Sequence, residues 1–336
     1  MTTHNQNFAH IWDKVFPKSE KVSHEKVTFT NRFGITLVAD LFMPKNADNT
    51  QLPALAISGP FGAVKEQSSG LYAQTMAERG YLAIAFDPSF SGESGGTPRY
   101  TSSPDINTED FQAAVDFLSN HHLVDKERIG IIGICGWGGL ALNAASLDTR
   151  VKATVTTTMY DMSRVNANGY FDAENSAEQR LEKKRAINAQ RTRDFASQDP
   201  ALDGGVVDPL PDDAPQFVKD YYDYYKTPRG YHARSLNSNR GRAITHQLSF
   251  INTPLMNYIE ELESAALLIH GEDAHSVYFS RDTFKRLKGD NKSLHIIPNA
   301  VHVDLYDRLD IIPFDMIDDF FQKHCAPYFP NKNDII

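Results

Sequence analysis

The sequence predicts an α/β fold, a mostly parallel sheet with helices on both faces and a helical cap inserted after its fourth parallel strand. Three observations carry this. Short β-rich runs alternate with helical patterns on both sides of a long interruption. One of these runs ends in a glycine-rich corner, "RIGIIGICGWGG" (128–139). The interruption itself, 160–262, is rich in charge and tyrosine and has no strand rhythm.

The elements follow in order. "EKVTFTNRFGITLVADLFMP" (25–44) reads as a hairpin turning at Asn31-Arg32-Phe33-Gly34. "ALAISG" (54–59) is a buried strand, followed by a helix through Leu71, Tyr72 and Met76 that Gly80 can end. "YLAIAFD" (81–87) is the next strand. Phe111, Ala114, Val115 and Leu118 form one face of a helix over 105–120. The strand 128–134 leads into a helix through Leu140 to Leu147. Residues 151–158 are a β-branched strand. Strands 265–271 and 293–299 flank a helix at 278–288, and Pro313 opens a closing helix with Ile317, Phe320 and Phe321 facing inward.

A βα unit needs roughly 30 residues, and the stretch between strands 151–158 and 265–271 far exceeds that. It holds a helical part (176–194), a loop (199–215) and the run "YYDYYKTPRGYH" (221–232). Eight of the fourteen tyrosines fall between 160 and 258, and amphipathic rings suit a pocket roof. The predicted organisation is an N-terminal extension (1–24), a core of 25–159 and 263–336, and a mainly helical cap of 160–262. A surface decoration without a binding role is the competing reading of the insertion.

Bulk properties narrow the function classes. The chain has 336 residues, 41% apolar content and a formal charge of −9 that is not blocked into runs. No polyanion-binding surface is implied, so nucleic acid is not an expected partner. The polar start MTTHNQNF lacks a signal-peptide pattern, and apolar runs such as Leu82 to Phe86 are too short to span a bilayer. Cys135 and Cys325 give no disulfide framework. The expectation is a cytoplasmic protein acting on a small molecule, without a membrane. Whether copies of the chain form a homo-oligomer is left open. No G-x-G-x-x-G follows a strand, the corner lacks a P-loop lysine, and the histidines form no ligand set. Neither a cofactor nor a metal is expected.

The corner carries the chemistry. A nucleophile on a strand-to-helix turn stands proud of the sheet beside helix N–H groups that can hold an oxyanion. Cys135 occupies that place, with Gly133, Gly136, Gly138 and Gly139 leaving room for the bend. A helix N-terminus should lower its pKa. A buried inert cysteine is the alternative. Gly136 can donate one N–H to the oxyanion. Pro60 has no N–H, so Phe61 is the expected second donor, ahead of Gly62.

Two loops, "SGPFGAVKEQ" (58–67) and "FDPSFSGESGGTPR" (86–99), accompany the elbow. With them the chain resembles the α/β-hydrolase superfamily, and more narrowly its dienelactone-hydrolase-like branch with a G-I-C-x-x-G-G elbow. The likeness runs over about 25–325. It implies an α/β-hydrolase fold and a catalytic order of nucleophile, acid, histidine. His302, after the last strand in "IIPNAVHVDLYD", fits the histidine; His275 is a rival, and His270 and His295 lie within strands. For the acid, similar proteins use the third residue after a strand-ending "HG", which here is Ala274. Glu272 is taken first, with Asp161 and Asp273 as alternatives. Trp137 departs from the small residue that similar proteins place there. Trp137 and Tyr160 are expected to shape the pocket. Glu93 and Ser94 are expected to stabilise their loop.

The resulting expectation is a cofactor-independent hydrolase of an ester, lactone or thioester, working through a Cys-His-acid acyl-enzyme. An acyltransferase using the same intermediate is the second reading. A ligand-binding pseudoenzyme is the third, motivated by Trp137 and Ala274.

Overall fold

The computed structural model describes residues 12–47 and 51–325. Residues 1–11 of the expected extension, and 326–336 of the expected core, lie outside them. Strands β1 (Val22–Thr30), β2 (Thr36–Pro44), β3 (Leu52–Ser58), β4 (Leu82–Phe86), β5 (Val124–Ile134), β6 (Ala153–Thr157), β7 (Ala265–Gly271) and β8 (Lys292–Ile297) form one sheet. Their order is β1-β2-β4-β3-β5-β6-β7-β8. β2 runs antiparallel to β1 and β4, and all the remaining neighbours are parallel.

The chemistry of the strands explains their places. β3, β4, β6 and β7 are almost wholly apolar or β-branched and almost wholly buried, as parallel strands covered on both faces must be. β1 lies at one edge, and most of its side chains reach solvent. The hairpin turns where it was expected. Asn31 Oδ1 accepts from the N–H groups of Phe33 and Ile35, and Gly34 supplies a positive φ of 76°. The strand nevertheless starts at Val22, inside the span assigned to the extension.

Helices α1 (Ser68–Ala77), α2 (Pro104–Ser119), α3 (Gly136–Leu147), α8 (Val277–Arg286) and α10 (Phe314–His324) pack on the sheet, giving one core on each face. Ser103 caps α2, its Oγ accepting from Ile106 N, and Pro104 sits at the first turn. Pro313 is the cap of α10 rather than its first residue.

Between β6 and β7 lie α4 (Met162–Asn168), α5 (Ala177–Ser197), α6 (Gln216–Lys226) and α7 (Gln247–Asn252). Ser176 caps α5 through Gln179 N, and only Ile187 of that charged helix is buried. α6 carries the tyrosine run and turns Tyr224 and Tyr225 inward. The short helices α4, α7 and α9 (Asp304–Asp307) were not visible in the periodicity. Fewer than two turns leave too little apolar repeat to detect.

One segment of the insertion grips the core directly. The N–H groups of Leu236 and Asn237 both donate to Gly62 O, and Asn237 Nδ2 donates to Phe61 O at 2.8 Å. The insertion therefore fixes the loop that follows β3. No helix among the described residues is long and apolar enough to cross a membrane.

Candidate active site

The strand β5 and helix α3 meet at Cys135, whose φ of 57° is in the left-handed region. A non-glycine residue there is strained, and its surroundings must hold it. They do so at three points. Cys135 N–H donates to Thr157 O, while Gly138 N and Tyr160 N both donate to Cys135 O, each at 2.9 Å. The bend needs its glycines: a Cβ on Gly133 would lie 2.2 Å from Trp137 O, and one on Gly138 would lie 2.4 Å from Met159 Cβ.

The thiol faces the N–H groups of Gly136 and Phe61 and the hydroxyl of Tyr306. All three favour its anion, as does the nearby Arg242 charge, yet burial dominates and pushes the thiol up. This corrects the expected lowering: the helix N-terminus acts, but desolvation of a nearly closed site outweighs it.

His302 is 1% exposed and follows β8 by a short loop. Its Nε2 lies 3.0 Å from Tyr306 Oη. Its Nδ1 lies 2.7 Å from Thr158 Oγ1 and 2.6 Å from Ser276 Oγ. Among the described residues no hydrogen bond joins the Cys135 thiol to His302. The Tyr306 hydroxyl neighbours both, bonded to the imidazole and beside the thiol, which corrects the expected direct pair. Burial, with His275 and His270 nearby, holds His302 well below the usual imidazole range, so it is neutral.

No expected acid reaches this imidazole. Glu272 and Asp273 are exposed on the turn after β7. Backbone geometry accounts for this: Glu272 N–H and Asp273 N–H are tied to Ile297 O and Ala300 O, and the side chains leave the site. Asp161 is the N-cap of α4, accepting from Arg164 N at 3.0 Å and from Ser163 Oγ. Hydroxyls of Ser276 and Thr158 stand where the carboxylate was sought.

Trp137 is a further correction. It is 1% exposed and packs edge-on against Phe86 and Phe111, at 5.7 and 5.4 Å between ring centroids. The side chain points into the core beneath the elbow, away from the cavity. Gly59 makes the room, since a Cβ there would come 2.9 Å from Trp137 Cβ. Tyr160 does line the cavity. Its hydroxyl meets Tyr221 Oη at 2.9 Å and also His275 Nε2, which ties His275 to the insertion.

Above Cys135 opens a cavity of about 380 Å³. Phe61, Cys135 and Tyr306 form its floor, and Tyr170, Phe217 and Tyr221 contribute to its roof. Arg242 is the one charged side chain among its lining residues.

Beside the elbow, the two loop motifs meet in a buried ionic cluster. Lys65 is fully buried, with Nζ at 2.6 Å from Glu66, 3.0 Å from Asp87 and 2.5 Å from Glu93. Those three carboxylates lie close enough together to hold a cation, and the Lys65 ammonium is the cation they hold. Ser94 Oγ donates to Asp87 O and accepts from Val38 N. Glu93 and Ser94 thus fasten their loop, as their positions implied.

The sequence profile of X-Pro dipeptidyl-peptidase (S15 family) matches residues 34–302. The chain belongs to this family. PA2218 of Pseudomonas aeruginosa is 58% identical over 321 residues, covering 93% of this chain and 84% of PA2218. The crystal structure of PA2218 superposes with a TM-score of 0.91 over 94% of this chain and 98% of that one. YcjY of Escherichia coli K12 is 35% identical over 291 residues, 84% of this chain and 93% of YcjY. The thiohydrolase aneE of Aspergillus aculeatus is 32% identical over 138 residues, covering 41% of this chain and 42% of aneE. The fold is that of the α/β-hydrolases, and the family's relatives include hydrolases.

Sequence reasoning missed Tyr306, Ser276 and Thr158. Tyr306 had a legible signal: it lies four residues after His302, about one helical turn, in a segment already singled out. The two hydroxyls had none, since an isolated serine or threonine in a loop carries no pattern.

Proposed function

We propose that the protein cleaves carboxylic esters, lactones or thioesters through an acyl-enzyme on Cys135. One observation carries this reading: a single cavity presents the Cys135 thiol, two N–H donors and a phenol hydrogen-bonded to an unprotonated imidazole. The substrate carbonyl oxygen takes the N–H groups of Gly136 and Phe61 as its tetrahedral oxyanion forms. The thiol proton passes to Tyr306 Oη as the phenol proton passes to His302 Nε2. The C–S bond forms, and the proton returns by the same path to the leaving oxygen or sulfur. Water then attacks, giving up its proton along that route, and the thiol is restored.

Ester and thioester leaving groups suit this arrangement better than amines. An amine must be fully protonated to depart, and His302 has no carboxylate beside it to support an imidazolium. The likeness of the elbow and its loops to dienelactone-hydrolase-like proteins favours the same substrate class, as does the thiohydrolase aneE. Residues 160–262 act in this reading as the cap that roofs the cavity.

Acyl transfer is the second reading. The aromatic roof limits water, and the polyketide transferase claH of Penicillium crustosum is 31% identical over 134 residues, 40% of this chain and 44% of claH. Adding an alcohol during turnover separates the two, because transfer yields a new ester and hydrolysis yields only acid.

The test is turnover of short p-nitrophenyl esters and acyl thioesters by Cys135→Ala. A loss of about 10³-fold or more supports the acyl-enzyme. Undiminished turnover excludes it, and an inactive wild type bearing an unreactive thiol favours a binding protein.

A further inference from the structure

Beyond His302 the hydrogen-bond chain continues inward through groups to which the reaction above assigns nothing. Ser276 Oγ lies 2.6 Å from His302 Nδ1 and 2.8 Å from His270 Nε2. Thr158 Oγ1 spans the same two nitrogens at 2.7 and 3.4 Å. His270 Nδ1 ends the chain on Ser280 Oγ at 2.7 Å. His270, Ser276, Ser280 and Thr158 are all fully buried. Thr158 has φ of 47°, a strained conformation for a β-branched residue that the fold maintains at the bridge.

We propose that His270 is a positioning residue for His302, acting through the hydroxyls of Ser276 and Thr158 in the place a carboxylate usually holds. In a Ser-His-Asp arrangement the acid keeps the imidazole in one tautomer and one orientation. Here an uncharged chain does so. Ser280 Oγ accepts from His270 Nδ1–H, which leaves His270 Nε2 bare. Ser276 donates to that nitrogen, and its oxygen then accepts from His302 Nδ1–H. His302 Nε2 is thereby left bare toward Tyr306, as a base must be.

The surroundings fit a neutral device. His302 is flanked by the rings of His275, Tyr160 and Tyr221, at 5.2, 5.2 and 5.4 Å between centroids. Arg281 is the charged group near His270. A carboxylate is absent from the hydrogen bonds of both imidazoles among the described residues. Burial also keeps His270 down at about 3, so it holds no proton charge in the working range.

This inference rests on His302 as the base, but its test needs no substrate. Nitrogen NMR of 15N-histidine-labelled wild-type protein at neutral pH distinguishes a protonated from a bare ring nitrogen. The expected spectrum shows Nδ1–H with bare Nε2 for both His302 and His270. Replacing His270 with Phe (His270→Phe) frees the Ser276 hydroxyl to donate to His302 Nδ1, so His302 becomes a mixture of tautomers. In Ser276→Ala/Thr158→Val its Nδ1 loses both partners, with the same result. Turnover in either variant falls by 100-fold or more in kcat with KM near the wild-type value. Nε2–H on His302 in the wild type overturns the inference, as does a pure Nδ1–H tautomer in His270→Phe. Should neither variant fold, the wild-type spectrum decides alone. Absent turnover in the wild type counts against the proposed reaction and leaves the tautomer result standing.

Discussion

Tyr306 Oη lies 3.0 Å from Nε2 of His302, and its other side faces the Cys135 thiol. The phenol is fully buried and one helical turn beyond the histidine. In the proposed reaction the proton that leaves the thiol for the imidazole crosses this oxygen. The proposed reaction rests on that relationship rather than on a direct thiol–imidazole pair.

Removing the phenolic oxygen interrupts the path without emptying the cavity. Tyr306→Phe is expected to lower kcat by about 10²-fold or more, the range of general acid–base catalysis, with KM little changed. Steady-state kinetics on one thioester checks this. Wild-type kcat in the phenylalanine variant would mean that thiol and imidazole meet without the phenol.

The thiol's pH behaviour follows from burial. A group whose pKa is raised keeps its proton where a free cysteine, at about 8.5, has begun to lose it. Alkylation of Cys135 by iodoacetamide should therefore be slow at neutral pH and still climb above pH 9. Cys325, likewise raised by burial, to about 12, is separated by peptide mass mapping. A plateau already reached below pH 8 would reveal a thiolate–imidazolium pair in the resting enzyme.

Glu272 is exposed on its turn and is expected to carry none of the chemistry. Glu272→Gln should leave kcat within about twofold and stability within about 0.5 kcal/mol, as for an exposed turn residue. A loss of 100-fold or more would place its carboxylate back beside His302.

Trp137 holds the floor beneath the elbow. Trp137→Ala removes a fully buried indole packed on Phe86 and Phe111, and is expected to cost about 3–5 kcal/mol. Chemical denaturation measures it. A change in substrate preference with unaltered stability would instead put the indole in the cavity.

Much of the scaffold was legible because it repeats. Parallel strands buried on both faces read as short apolar runs, and every one of them was found. The elbow was legible because Gly133, Gly136 and Gly138 answer steric needs that no other residue meets. What failed was long-range and chemical. The acid was sought by counting from Gly271, but the turn after β7 aims Glu272 outward and brings Ser276 inward. Trp137 was read as a pocket residue because its space comes from Gly59, distant in sequence and adjacent only in the sheet. The thiol was read from the helix end alone, since the closure that desolvates it comes from the insertion and from Tyr306.

The acyl-enzyme itself is the most direct test. Wild-type protein mixed with a short acyl thioester and quenched in acid within its first turnover should gain one acyl mass. Peptide mapping should place that mass on Cys135, and Cys135→Ala should gain none. An acyl group on another residue, or turnover without any acylated protein even in Tyr306→Phe, would contradict the account.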